Sequence, residues 1–152
     1  MVWGCLDDWA VDHIGLGAMA SKPSPARSDP AGKQVYVIEI LPKWYGIAAE
    51  KADEPIAAGC KVFYVGKTGR HVGKRYRQHR TGKKEANIFK RIRREKSTAG
   101  APDPTLIKSV DTELRRDLTA GIPIDMTDER ALKEEANLAA RLRDEGHTVF
   151  SN

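Results

Sequence analysis

Two stretches decide the fold: Gln34-Val35-Tyr36-Val37-Ile38-Glu39-Ile40 and Lys61-Val62-Phe63-Tyr64-Val65-Gly66. Both are rich in β-branched and aromatic residues, and Pro42 stops the first, so each reads as a strand. Two apolar strands this close in sequence pair most simply as an antiparallel ribbon. The long connection between them, residues 41–60, holds Trp44, Tyr45 and Ile47 as a small anchor and has room for a short helix within residues 47–53. Alternation sets Tyr36 opposite Val35 and Val37, and Tyr64 opposite Phe63 and Val65. That pattern suits tyrosines chosen for β propensity as well as tyrosines that serve a site.

Outward from the ribbon, the spacing predicts a helix over residues 73–79 that Gly82 ends. A second follows over residues 85–96, with Ile88, Phe89 and Ile92 at helical spacing. After a Gly/Pro loop, Leu106, Val110, Leu114 and Leu118 form one stripe of a helix over residues 105–120. Thr127 caps a last helix, with Asp128 and Glu129 in its first turn and Gly146 at its end. Residues 147–150 read as a short closing strand. The expected architecture is an α/β (α+β) sandwich, a small antiparallel sheet of about three strands flanked by helices. Before the first strand, Pro23, Pro25, Pro30 and Gly32 mark a linker, so residues 1–33 read as a flexible extension. Met19 reads as a natural start, which would leave residues 1–18 outside the fold.

At 152 residues the chain is long enough for one domain with its own core. Its 40% hydrophobic and 31% charged residues suit a globular protein. No apolar run approaches the roughly 18 residues needed to cross a bilayer. Cys5 and Cys60 form neither a metal-ligand pair nor a disulfide framework, which points to a cytoplasmic, non-secreted setting without a membrane partner. The net charge of +5 is unevenly placed. Between Lys67 and Lys96, basic residues face only Glu85 and Glu95. Lys67, Arg70, Lys74, Arg77, Arg80, Lys83 and Lys84 are the candidates for contact with a nucleic acid. A solvated helical face is the plainer reading of the same run.

One carboxylate is out of place. The apolar stripe of the last helix is Ala131, Leu132, Leu138, Ala139 and Leu142, and Glu135 falls in its middle. Such a carboxylate is an ion-pair partner of an arginine, a metal ligand, or an acid–base residue at the floor of a site. The turn Gly66-Lys67-Thr68-Gly69-Arg70 leaves a strand toward a helix, where backbone N–H groups favour phosphate. It lacks the order of a Walker loop. Arg75 and His79, four apart, share one face of that helix, and a guanidinium beside an imidazole suits a phosphodiester.

Together these segments resemble the GIY-YIG nuclease family. Gln34-Val35-Tyr36 stands where the family has Gly-Ile-Tyr, and Tyr64-Val65-Gly66 where it has Tyr-Ile-Gly. Lys67, Arg75 and His79 follow in the family's order. The helix from Glu135 through Leu138, Ala139 and Leu142 resembles the family's catalytic-glutamate helix, and Gly146 and Asn152 resemble its ending. Three features depart: Gln34 replaces a glycine, the gap from Gly66 to Arg75 is one residue longer, which makes Lys74 a rival, and the connection from Tyr36 to Tyr64 is enlarged. Residues 34–152 would then be the nuclease domain, with insertions near 41–60 and 97–120.

The resemblance implies an endonuclease that hydrolyses phosphodiester bonds in duplex or branched DNA, with its site residues on one concave face. Glu135 would hold Mg2+, or Mn2+ in its place. Tyr36 would activate water, and Arg75 would stabilise charge on the phosphoryl group. Tyr64 would position phosphate or water, and His79 is a second candidate for proton transfer. A homodimer would let single-strand sites cut both strands. The alternative is a non-catalytic nucleic-acid-binding module of the same fold.

Overall fold

The computed structural model describes residues 29–98 and 112–151. Chain order is β1 (Gln34–Ile40), a single 3-10 turn at Pro42–Trp44, α1 (Tyr45–Ala52), β2 (Val62–Thr68), α2 (Val72–Thr81), α3 (Asn87–Thr98), β3 (Thr112–Leu114), a second 3-10 turn at Asp117–Thr119, α4 (Asp128–Asp144) and β4 (Thr148–Phe150). The readings for residues 1–28 and 99–111 lie outside the described residues. Among the described residues, no helix is long and apolar enough to cross a membrane.

The two stretches that open the sequence reading are the centre of the sheet. β1 and β2 pair antiparallel along their whole length, with Tyr36 opposite Gly66 and Ile38 opposite Tyr64. The sheet has four strands in the order β3-β1-β2-β4, with β3 antiparallel to β1 and β4 parallel to β2. The α+β class holds, with one strand more than the sequence suggests and one parallel pairing.

The extra strand corrects the described part, residues 112–120, of the helix placed over residues 105–120. Thr112–Leu114 is extended and pairs with Ile38–Ile40. The open edge of β1 supplies backbone partners, and sheet pairing outweighs the helical spacing of Leu114 and Leu118. Arg115 extends the pairing by donating to the Val37 carbonyl at 2.9 Å. Its guanidinium pairs with buried Glu39, which also meets Lys61 at 3.0 Å.

Strand alternation divides the interior into two layers. Val35, Val37, Phe63 and Val65 pack under α4 with Ala131, Leu138, Ala139 and Leu142. Tyr36, Ile38, Ile40, Val62 and Tyr64 face the other way, toward Ala48 of α1 and Ile88, Phe89 and Ile92 of α3. α4 begins as expected: the Thr127 hydroxyl accepts from the Arg130 amide, and Gly146 lies beyond the end at φ 90°. Leu132, placed on the apolar stripe from sequence, is instead 52% exposed. It stands about 100° around the helix from Ala131 and turns off the sheet. The enlarged connection carries α1, whose Glu50 pairs with Arg91 of α3 at 2.8 Å.

β4 pairs only with Val62–Tyr64. Among the described residues, the edge of β2 from Val65 to Thr68 has no partner strand. That edge leads to the site.

Candidate active site

Tyr36 stands on β1 and Tyr64 on β2, side by side on the same face, with ring centroids 6.1 Å apart. α2 follows the Gly69–His71 turn, where the His71 ring accepts from the Gly73 amide, and it brings Arg75 and His79 down onto the tyrosines. His79 is buried, with its ring 5.7 Å from Tyr36, 5.3 Å from Tyr64 and 4.9 Å from Phe89. Lys74, the rival for the arginine's place, is exposed and pairs with Asp29 at 3.1 Å.

The hydrogen bonds fix the direction of the cluster. His79 Nδ1 accepts from the Ala86 amide at 3.2 Å. A neutral imidazole carries one proton, so it sits on Nε2. Nε2 lies 2.7 Å from the Tyr36 oxygen and therefore donates to it. Arg75 Nε donates to the same oxygen at 3.3 Å. The Tyr36 hydroxyl thus accepts two N–H bonds, and its own proton must point away from both. Burial pushes the His79 pKa down to about 3, with Arg75 adding to the fall, so the ring is uncharged near neutrality. Burial pushes the Tyr36 phenol far up; Tyr64 adds to this and Arg75 offsets part of it.

Gly66 makes room for this arrangement. A Cβ there would lie 2.8 Å from the Tyr36 hydroxyl and 3.0 Å from Cε1 of Tyr64. The tyrosine therefore lies across the backbone of the strand it pairs with.

The loop between α2 and α3 holds the other side. Arg75 Nη1 donates to the Lys84 carbonyl at 2.7 Å and to Gln78 at 3.3 Å. Arg93 reaches back from α3 to Glu85 at 2.6 Å and to the last-turn carbonyls of α2, His79 at 2.9 Å and Arg80 at 3.2 Å. Ala86, Glu85 and Arg93 carry no chemistry that a sequence reading would select. Their part comes from backbone groups and from a pairing across the fold.

Arg75 also lines a cleft of about 460 Å³ together with Lys33, Lys67, Arg70, Lys84, Gln78 and Asp128. Lys67, Arg70 and Lys84 were selected from the basic run; Lys33 and Asp128 were not. Asp128, at the start of α4, meets Lys67 at 2.7 Å and Lys33 at 3.8 Å, and Lys67 holds its carboxyl below the usual range. Arg77 and Lys83 are exposed outside this cleft, and Arg80 lies over the Tyr76 ring at 5.6 Å.

Glu135 is 2% exposed on the sheet-facing side of α4. That helix covers the face opposite the tyrosines, so Glu135 belongs to the other layer of the sandwich, and the expectation that it shares one concave face with Tyr36, Tyr64, Arg75 and His79 is corrected. Its carboxylate is a hard oxygen donor of the kind magnesium takes singly while keeping several waters.

No protein-family model matches the chain, and neither a curated protein nor a solved structure does.

Proposed function

We propose that the protein is a metal-dependent endonuclease of the GIY-YIG type, acting on DNA. The observation that carries this reading is the Tyr36 oxygen, fixed between two N–H donors, His79 Nε2 and Arg75 Nε, with Arg75 also facing a cleft of lysines and arginines. Two donors aimed at one phenol oxygen stabilise negative charge on it.

In this reading the cationic cleft takes the phosphate backbone, and Lys33, Lys67, Arg70 and Lys84 neutralise it. Among the described residues Arg75 Nη2 has no partner, and it is the group that meets the phosphoryl oxygens as charge builds. Tyr36 loses its own proton to bulk water and, as a phenolate held by Arg75 and His79, accepts one from the attacking water. His79 acts as a neutral donor to Tyr36, since its other nitrogen is already an acceptor. Tyr64 packs beside both rings and positions the phosphate or the water. Glu135 would hold Mg2+ or Mn2+. When bound, the metal would supply Lewis-acid stabilisation of the phosphate.

The second reading, a nucleic-acid-binding module without cleavage, draws on burial. Tyr36, Tyr64, His79 and Glu135 are all closed off from solvent, and burial opposes the phenolate. One experiment separates the two: conversion of supercoiled plasmid by wild type with magnesium, beside an EDTA control and Glu135→Ala. Nicking by wild type that both controls abolish is the expected result. DNA binding without nicking would favour the second reading, and equal nicking by Glu135→Ala would remove Glu135 from the site.

A further inference from the structure

A second cleft, of about 270 Å³, opens beside Tyr64. Lys51 of α1, Asn87 and Ile88 at the start of α3, Arg143 near the end of α4, and Ser151 line it with the tyrosine. No carboxylate among the described residues lines it. Among the described residues Lys51 has no ion-pair partner. Arg143, again among the described residues, donates to the Val149 carbonyl at 2.9 Å and to Ser151 at 3.4 Å. Two cations therefore face this concave surface without an anion among the described residues, whereas Asp128 partly fills the corresponding place in the larger cleft.

The two clefts share their walls in the same order. β2 contributes Lys67 and Thr68 to the larger one and Tyr64 to the smaller. The loop after α2 contributes Lys84 to the first and Ala86 to the second. α4 contributes Asp128 to the first and Arg143 to the second, with Glu135 about midway along the roughly 22 Å between them. From Lys67 to Tyr64 along the strand is about 10 Å, about three base-pair rises of about 3.4 Å along a duplex axis.

We infer that the small cleft is a second phosphate subsite, which holds a backbone phosphate of the same nucleic-acid strand a few nucleotides from the one at Arg75. Lys51 and Arg143 supply the charge and Asn87 a neutral hydrogen bond. The first turn of α3, which holds no acidic side chain, adds to the positive potential. The connection between β1 and β2 is enlarged because it carries α1, and α1 delivers Lys51 to this place. The inference rests on the proposed nuclease reading and extends the track beyond the larger cleft.

The test is binding of a fluorescein-labelled DNA duplex of about twenty base pairs to the full chain, by anisotropy across a salt series. Lys51→Ala is compared with Arg70→Ala, in the larger cleft, and with Lys133→Ala, an exposed lysine of α4 outside both. Lys51 is exposed, so its loss leaves the fold intact, whereas Arg143 also ties β4 in place. The expected result is a log Kd against log salt slope smaller by about one for Lys51→Ala and for Arg70→Ala, with affinity weaker by about fivefold. Lys133→Ala is expected to match wild type. If Arg70→Ala weakens binding while Lys51→Ala behaves as wild type, the subsite is wrong and the nuclease reading stands. If wild type does not bind, or Arg70→Ala has no effect either, the nucleic-acid reading itself fails and the subsite with it.

Discussion

Tyr36 and Gly66 face each other across the central strand pair, and the contact between them has a measurable cost. Gly66→Ala would put a methyl 2.8 Å from the Tyr36 oxygen, so ring or strand must shift. Overpacking of this kind destabilises by about 1–3 kcal/mol, readable in urea unfolding, and the tyrosine leaves its two donors. His79 gives a pH dependence. In the fold it stays unprotonated down to about pH 3, while the unfolded chain takes up the same proton near pH 6.5. Between these values the unfolded state binds more protons. Stability is therefore intact above about pH 6.5 and falls as the pH drops toward 3, by up to about 1.4 kcal/mol per pH unit. Urea midpoints between pH 7 and pH 5 should show this loss, and His79→Gln should flatten it. At this scale the sequence was legible where side-chain chemistry is distinctive. Arg75 and His79 could be named from type and four-residue spacing; Tyr36 and Tyr64, and the choice of Arg75 over Lys74, could be named only through the resemblance to the GIY-YIG family. The Ala86 amide that sets the histidine's proton could not, because any residue presents the same backbone group.

Among the elements, the loop joining α2 to α3 orients both donors of Tyr36, through the Lys84 carbonyl and the Ala86 amide. The Glu85–Arg93 pair holds that loop, with the Glu85 side chain 7% exposed. Arg93→Ala would leave a buried carboxylate and two helix-end carbonyls without their partner. The expected loss is about 3 kcal/mol of stability, measured by urea unfolding. A change below about 0.5 kcal/mol would mean that the pair is solvated. β1, β2, α2, α3 and α4 were readable because their own residues carry period, caps and breakers. β3 was not, since its three residues are extended only because the edge of β1 is there to receive them. Leu132 misled for a related reason: a wheel fixes angles around a helix, and the sheet decides how wide a face is covered.

For the molecule as a whole, the division into two layers gives the site its form. The tyrosines, Arg75 and His79 come from one layer and Glu135 from the other, and β2 from Val65 to Thr68, which among the described residues has no strand partner beyond β1, lies between β4 and the basic cleft. The basic run was legible as charge, but which of its members share a concave surface was not. Lys33, far from that run in sequence, lines the cleft, while Arg77 and Lys83 lie outside it. Charge says how many phosphates a chain can neutralise, and only folding places them. The claim that joins these scales is that the oxygen held by His79 and Arg75 takes part in phosphodiester hydrolysis. Tyr36→Phe tests it most directly, because it keeps the ring against Gly66 and removes only that oxygen. In a single-turnover plasmid-nicking assay with magnesium, the variant is expected to bind DNA as wild type does and to nick at least about 100-fold more slowly. Nicking within about twofold of wild type would contradict the account.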